Sequence, residues 1–502
     1  MMKRLRLATV AALALFAGPS FAATDDTLDV VAQFEIQDQD PSTVGYVFWR
    51  MGIVETLVQA DATGRLLPAL ASEWTSSEDG LTWTFKLREG VTFHDGSPLT
   101  AEAVVNALEI ARSKPGPQAD LPIVGMTAED GQVVIKLSEK WAALPAYLSE
   151  YHAVILAIAS YGPDGKAENV VGTGPYRMTE ITPPLGLKAE AFADYWGEKP
   201  AIPKVTYRGV SRVETRALSA ESGDADFVFG LDPASIARLG MSDKVQILTT
   251  PVPRTMSLKL NTELPQFADP KARLALSQAI DRDGIAKAIL RMEHGAGQIF
   301  APSLEGWHND ALEPLGYDPE AAKAALAELG WQAGPDGILT KDGARFSVTL
   351  TTYPDRPELP LVANVLEQQF RAIGVEVILN VANSSDIPAG HADGSLQMGL
   401  VARNYGTIPD PVGTIREDFV TGADWGAMGW TNARVTELVN GLVHGEGGNA
   451  ERGEVAAILQ AELPVIPVIW FNQTAAVSSD LEGAWIDPFE QSFGLQDLRW
   501  KE

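Results

Sequence analysis

The 502-residue chain contains no cysteine and carries 66 acidic against 39 basic side chains, a formal charge of −27. That excludes a disulfide-stapled or thiolate-based design and disfavours nucleic acid or an anionic membrane surface as partner. With 45% apolar and 21% charged residues the composition is globular, and the length exceeds what one hydrophobic core supports, so two or more lobes are expected.

The chain opens with MMKRLRLATVAALALFAGPSFAATDD, in which Lys3, Arg4 and Arg6 precede an apolar run from Leu7 to Ala17 and then the small-residue pattern Ser20-Phe21-Ala22. This predicts a signal peptide over residues 1–22 and a mature protein exported to the periplasm of a Gram-negative cell. The apolar run is too short to span a bilayer, and no later one reaches the roughly 20 residues required. With no cysteine to carry a lipid, no membrane anchor is expected.

Next, WTSSEDGLTWTFKLREGVTF (74–93) predicts a hairpin: Asp79-Gly80 is a turn signal, and Leu81, Trp83, Phe85 and Leu87 alternate behind it. His94, Asp95 and Glu102 raise the question of an acid/base or metal pair. Asp95-Gly96 is a turn former by itself, Thr100 is placed to cap a helix through AEAVVNALEIA, and Glu102 falls in its first turn, so scaffold is the reading of this stretch. GTGPY (172–176) lacks the third glycine of a dinucleotide loop and is read as a turn entering a strand.

From Asp269 the pattern is helical. Asp269-Pro270 caps KARLALSQAI, Asp281 caps GIAKAIL, and Asp318-Pro319 caps EAAKAALAEL, which stops at Gly330. LPLVANVLEQQFRAIGVEVIL places Val362, Val365, Leu366 and Ile373 on one helical face, stops at Gly374 and turns into a strand. Two apolar strand-like stretches, TMSLKLN (255–261) and IPVIWFN (466–472), flank this α/β half, which predicts one lobe inserted into another through two crossings, a hinge.

No G-x-S-x-G, H-E-x-x-H or phosphate-binding G-x-x-x-x-G-K-[ST] occurs, and histidines 94, 152, 294, 308, 391 and 444 show no metal-site spacing. Neither a metal nor a cofactor is expected, and an enzyme is disfavoured. A secreted two-lobed hydrolase remains only as a distant alternative.

Taken in order, LPALASEWTSSEDGLTWTFKLREGVTFHDGSPLTAEAVVNAL, VVGTGPYRM, ADYWGEKPAIPKVTYRGV, KARLALSQAIDRDGI, YDPEAAKAALAELGW and LPVIPVIW resemble the motifs of the peptide/nickel family (family 5) of extracellular solute-binding proteins. These are the large receptors of ABC importers. The resemblance implies an α/β, bilobed periplasmic-binding-protein fold, class II-like and of cluster C, with an extra domain in the first lobe. It also implies a monomer that closes on its ligand and docks on a permease heterodimer driven by ATPase subunits. The expected organisation is lobe I over 23–260 with an extra subdomain around 60–170, lobe II over 261–465, and a return to lobe I over 466–502.

The ligand is read from LQMGLVARNYGTIPDPVGTI (396–415), a strand running into a loop, since ligands gather beyond the carboxyl ends of strands in open α/β sheets. In dipeptide-binding members an aspartate three positions before the Asp-Pro pairs with the ligand amine. Here that position is Thr407, while Asp410-Pro411 remains. Tyr405-Gly406 matches the aromatic-glycine pair of nickel and metallophore receptors, but the histidine those receptors place after the Asp-Pro is missing. Their arginine in the stretch corresponding to LSEYHAVILA is missing too, with only His152 there. Arg403 and Arg416 are candidate carboxylate partners, Arg403 the leading one, since a guanidinium fork binds a carboxylate through two parallel bonds. Asn404, Tyr46, Trp49, Trp425 and Trp430 are candidates for the pocket wall. A short peptide or peptide-like organic acid is the expected ligand, with a nickel or other metal chelate as the alternative.

Overall fold

The computed structural model describes residues 26–354 and 356–501, without the side chains at 42–44; the predicted signal peptide lies outside the described residues. The expected caps form where the sequence places them. Thr100 accepts from the Ala103 amide to start the helix Ala101–Arg112, and Asp269, Asp281 and Asp318 accept from Lys271, Gly284 and Ala321. Helix Pro319–Glu328 runs out at Gly330 (φ 89°), and Glu358–Ala372 runs out at Gly374 (φ 85°) before strand Glu376–Val381. One element differs from the periodicity: GIAKAIL makes only a short turn of α-helix, Arg282–Ile285, and continues as a π-helical turn to Leu290.

A ten-stranded mixed sheet runs through the whole molecule. In spatial order its strands are Glu376–Val381, Ser347–Thr352, Met398–Asn404, Val245–Leu260, Val465–Ser478, Phe227–Phe229, Thr27–Ala32, Lys204–Gly209, Gly186–Ala191 and Tyr176–Thr182. The two long central strands, Val245–Leu260 and Val465–Ser478, pair antiparallel, with the register broken between Pro251 and Thr255. Proline has no N–H to donate, so Pro251 and Pro253 open the ladder at the point where one lobe gives way to the other. Each flank of the sheet contains parallel pairs: Thr27–Ala32 with Lys204–Gly209 and Phe227–Phe229 on one side, Ser347–Thr352 with Glu376–Val381 and Met398–Asn404 on the other.

A separate four-stranded antiparallel sheet, Ala71–Ser76, Thr82–Leu87, Gln132–Leu137 and Ile123–Glu129, contains the predicted hairpin and packs on helix Ala101–Arg112. Its core does not end there. Leu144, Tyr147 and Trp141 of this region share one hydrophobic cluster with Phe300, Trp307, Tyr405, Val412, Ile415 and Phe419 from the second half of the chain, so the two lobes meet face to face. The tip of this contact is Tyr147. Its hydroxyl lies where a side chain on Gly413 would begin: a Cβ there would sit 1.7 Å from the oxygen.

Candidate functional site

The parallel strands of the two flanks point their carboxyl ends toward each other across the central pair, and a crevice of about 1160 Å³ opens between them. Gln33 and Phe34 follow strand Thr27–Ala32, Gly230 follows Phe227–Phe229, and Pro354 and Arg356 follow Ser347–Thr352; Phe471, Asn472 and Gln473 of the central strand form the floor. The location obeys the general rule for open α/β sheets. A narrow inner recess continues from it along Gln33, Phe34 and Gln473 to Arg50, Asp487 and Glu490.

Three guanidinium groups, one from each of three separate elements, act on Glu490, and one of them, Arg50, lines the recess with it. Arg50 ends helix Pro41–Arg50; its Nε donates to the Glu490 carbonyl (2.6 Å), and its guanidinium lies over the rings of Phe34 (5.3 Å) and Tyr46 (5.7 Å). Arg254 stands on the central strand, 6% exposed, with Nη2 donating to Glu490 Oε2 (2.5 Å). Its Nε–H is buried and has no acceptor. Arg356 comes from the other flank and lies 5.6 Å from the Phe471 ring. Burial, and after it the neighbouring Arg254, push the Arg356 guanidinium below its ordinary pKa.

Glu490 is the counter-ion. Burial would raise its carboxyl, but Arg254, Arg50 and Arg356 together hold it down at about 2. Its backbone has φ 57°, a left-handed conformation unfavourable for a residue with a side chain. The loop that imposes this is organised by Asp487, whose carboxylate accepts from the amides of Phe489, Gln491 and Ser492. Burial pushes Asp487 up to about 6.

The residues singled out from sequence fall in several places. Asn404 is at the junction: Nδ2 donates to Glu490 Oε2 (3.3 Å) and Oδ1 accepts from the Gly406 amide. Tyr46 is there too, edge-on to Phe34 and Tyr151. Arg403, the leading expected carboxylate anchor, already holds one: Nε and Nη2 donate to the two oxygens of Asp418 (2.8 and 2.7 Å), so both arms of its fork are taken within the chain. Tyr405 is buried against Phe300, its hydroxyl pushed far up by burial and then by Asp418. Thr407 is half-buried on the same loop, and Asp410 lies 3.8 Å from Arg452. Arg416 donates to Asn440 and stacks near Trp141. Trp430 donates to Glu462, Trp425 packs edge-on to Tyr353, and Trp49 lies partly buried against the core of the first lobe.

His94 belongs to the scaffold. It is 7% exposed and bonds through Nε2 to the carbonyl of Gly174, while Asp95 accepts from Ser97 to close the turn; burial holds the imidazole down at about 4. Arg50, Arg254, Arg356 and Glu490 were not found from sequence. Arg254 did carry a signal, the one charge in PVPRTMSL, directly after Pro251 and Pro253, but nothing local points from it to Glu490. Among the described residues no cluster of three His, Cys, Asp or Glu is placed to hold a metal ion, and no helix is long and apolar enough to cross a membrane.

Residues 65–424 match the model of the bacterial extracellular solute-binding proteins, family 5 (middle). The chain is similar to the nickel-binding periplasmic protein of Escherichia coli K12, 29% identical over 82% of this chain and 81% of that protein. It is also similar to the glutathione-binding protein GsiB of the same strain, 26% identical over 97% of this chain and 96% of that protein. In fold it is similar to NikA from Brucella suis, solved in complex with Fe(III)-EDTA, with a TM-score of 0.85, 23% identity and coverage of 95% and 100%.

Proposed function

The chain belongs to the bacterial extracellular solute-binding proteins of family 5, and from this we propose that it captures a short peptide or peptide-like organic acid for an ABC importer. Members of the family work with permease and ATPase subunits, and the named relatives are periplasmic binding proteins. The observation that carries the reading is the crevice between the two flanks, its walls made of amide, aromatic and guanidinium groups on both lobes. Its size is comparable to ordinary small-molecule pockets of ~300–1,000 Å³. A solute that touches both lobes stabilises the closed arrangement by its differential affinity for it, and no bond needs to be made or broken. Gln33, Phe34, Arg356, Phe471, Asn472 and Gln473 are proposed as wall residues, and Tyr46, Trp49, Asn404, Tyr405 and Thr407, which do not line the crevice, are proposed to support it from behind. Arg403 is proposed to brace the wall through Asp418, and Asp410, Arg416, Trp425 and Trp430 to support it from behind.

A second reading, a metal chelate held through its organic acid, is favoured by the similarity to the nickel-binding relative and by Tyr405-Gly406. Mass spectrometry of the solute released by unfolding the purified protein tests both. A peptide or organic acid without metal supports the first. A metal with its chelator supports the second, and an empty protein that binds none of a peptide, organic-acid or chelate panel sinks the capture reading. Calorimetry with nickel alone is expected to be flat, because no imidazole pair or thiolate is available to hold a bare ion.

A further inference from the structure

We infer that two short turns lining the crevice from opposite lobes, Arg212-Val213-Glu214 on the first and Arg291-Met292-Glu293 on the second, are the halves of an electrostatic latch. Closure brings them together antiparallel, Arg212 to Glu293 and Glu214 to Arg291, with Val213 against Met292 between the two ion pairs. The inference rests on the reading that the lobes close over the crevice and is independent of which solute is taken.

Three observations converge. First, all six residues line the crevice, and both turns have one pattern, a basic, an apolar and an acidic side chain in succession. Two such segments attract when they approach antiparallel and repel when they approach parallel, because the parallel approach sets like charges together. Second, the four charges are not used within the chain. Arg212, Glu214, Arg291 and Glu293 are exposed, and among the described residues none of them makes a side-chain hydrogen bond or an ion pair. Glu214 also acts on the buried Arg216 of its own helix, whose donors go to backbone carbonyls. The other charges of the mouth, Arg356 and Glu358, act on each other within the second lobe. Third, both turns are held in place. Arg216 Nη1 donates to the carbonyls of Val210 and Ser211 (2.6 and 2.9 Å), which fixes the first turn at the start of helix Val213–Ser222. Arg291 has φ 59°, a left-handed conformation unfavourable for a residue with a side chain, and Met292 donates to the Ala286 carbonyl (3.1 Å) across the π-helical turn that ends there.

Charges carried on fixed turns lose less freedom when they pair than charges on mobile ones, so the two halves are prepared for each other before they meet. Exposed ion pairs are individually weak and are screened by salt. Two of them therefore bias the closed arrangement by a modest factor and set its register, while the solute supplies the main difference between open and closed.

The chain has no cysteine, so two introduced thiols can pair within the molecule only with each other. The test uses the full mature chain with Val213→Cys and Met292→Cys, stripped of co-purified solute by unfolding and refolding. Glutathione disulfide is the oxidant: the two thiols become one disulfide as the reagent is reduced to two glutathiones. Antiparallel closure brings these middle residues to the short Cα separation a disulfide needs, so a cross-link is expected. Its rate is taken relative to the reaction of the Val213→Cys chain of the same charge with the same reagent. Raising the salt from about 10 mM to about 1 M should slow it about threefold to thirtyfold. Adding Arg212→Glu should slow it by a similar factor and remove most of the salt dependence, and adding Glu293→Arg as well should recover both. Arg212 and Glu293 are exposed, so these replacements are expected to fold, as melting temperature checks. In the chain without introduced thiols, Arg212→Glu should enlarge the radius of gyration at low salt, and Arg212→Glu with Glu293→Arg should restore it. A cross-link rate indifferent to salt and to Arg212→Glu, or one that the double reversal does not recover, overturns the latch. The absence of any cross-link overturns it too, and solution scattering then separates the two readings. A radius that is smaller with co-purified solute bound leaves closure standing without the latch, and a radius that is not takes closure down with it.

Discussion

Glu55 and Glu490 are both largely buried carboxylates, and their surroundings are opposite. Glu55 lies in the first lobe and accepts from three neutral donors, the Tyr195 hydroxyl (3.0 Å), the Trp196 indole (3.0 Å) and the Thr173 hydroxyl (2.7 Å). Burial dominates there and carries its carboxyl up to about 7, whereas at Glu490 burial is overcome by three arginines and the carboxyl is held at about 2. Glu55 closes a network in which each donor has its acceptor, and the groups bind the YWG segment to the rest of the lobe. Glu490 sits in a network with donors and positive charge to spare. Burial of an ionisable group is therefore a poor marker of function by itself. An excess left over after all internal pairing is the better one.

Removing each carboxylate tests that distinction. Glu55→Ala leaves three donors without an acceptor and is expected to cost about 3–5 kcal/mol in urea unfolding. Glu55→Gln keeps an acceptor and should cost less than half as much. Glu490→Gln leaves Arg254, Arg50 and Arg356 without their shared counter-ion and should cost about 2–3 kcal/mol, more than Glu55→Gln. If the two glutamine variants cost the same, the contrast between the two sites collapses.

The lobe contact offers an intermediate effect. Gly413→Ala places a methyl carbon in the space of the Tyr147 hydroxyl and is expected to lower stability by about 1–3 kcal/mol while loosening the closed form, visible as a larger radius of gyration in solution scattering. Adding Tyr147→Phe, which removes the oxygen, should recover part of both changes. No change in either quantity would mean that the lobes do not meet at this point in solution.

The smallest effect is in the pH dependence, where three buried carboxylates act in two windows. Glu55, raised from its ordinary 4.5 to about 7, contributes stability that is fully present below the lower value and lost as pH rises through the upper one. Asp487, raised from 3.8 to about 6, acts in the same direction. Glu490, lowered from 4.5 to about 2, contributes stability present above 4.5 and lost as pH falls toward 2. Stability should therefore fall as pH is raised from about 5 to 8 and fall again below about 4. Glu55→Gln should reduce the upper limb to the share due to Asp487 and leave the lower limb unchanged, whereas Glu490→Gln should flatten the lower limb alone, as followed by melting temperature.

Much of the fold could be read in the chain because its signals are local. A capping aspartate acts on an amide two or three residues away, as at Asp269, Asp281 and Asp318, and a hairpin turn needs only Asp79-Gly80 and the alternation behind it. The family was legible for the same reason, as a succession of short motifs. The strand-to-loop passage at Arg403 was also found, but not its partner. Asp418 lies fifteen residues on, across a loop, a short helix and the start of a π-helical turn, and that path has no period that would announce a contact.

What the sequence by itself determined is the set of elements, their caps and turns, the family and the class of function those imply. Only the tertiary structure decided where the charges meet. Arg254 and Glu490 are 236 positions apart, and Arg50 bonds to a carbonyl 440 positions away. No propensity or periodicity extends that far. The pairing arises only when the long central strands cross between lobes and the last loop folds back over the first helix, because electrostatic contact depends on distance in space, and the sheet sets that distance.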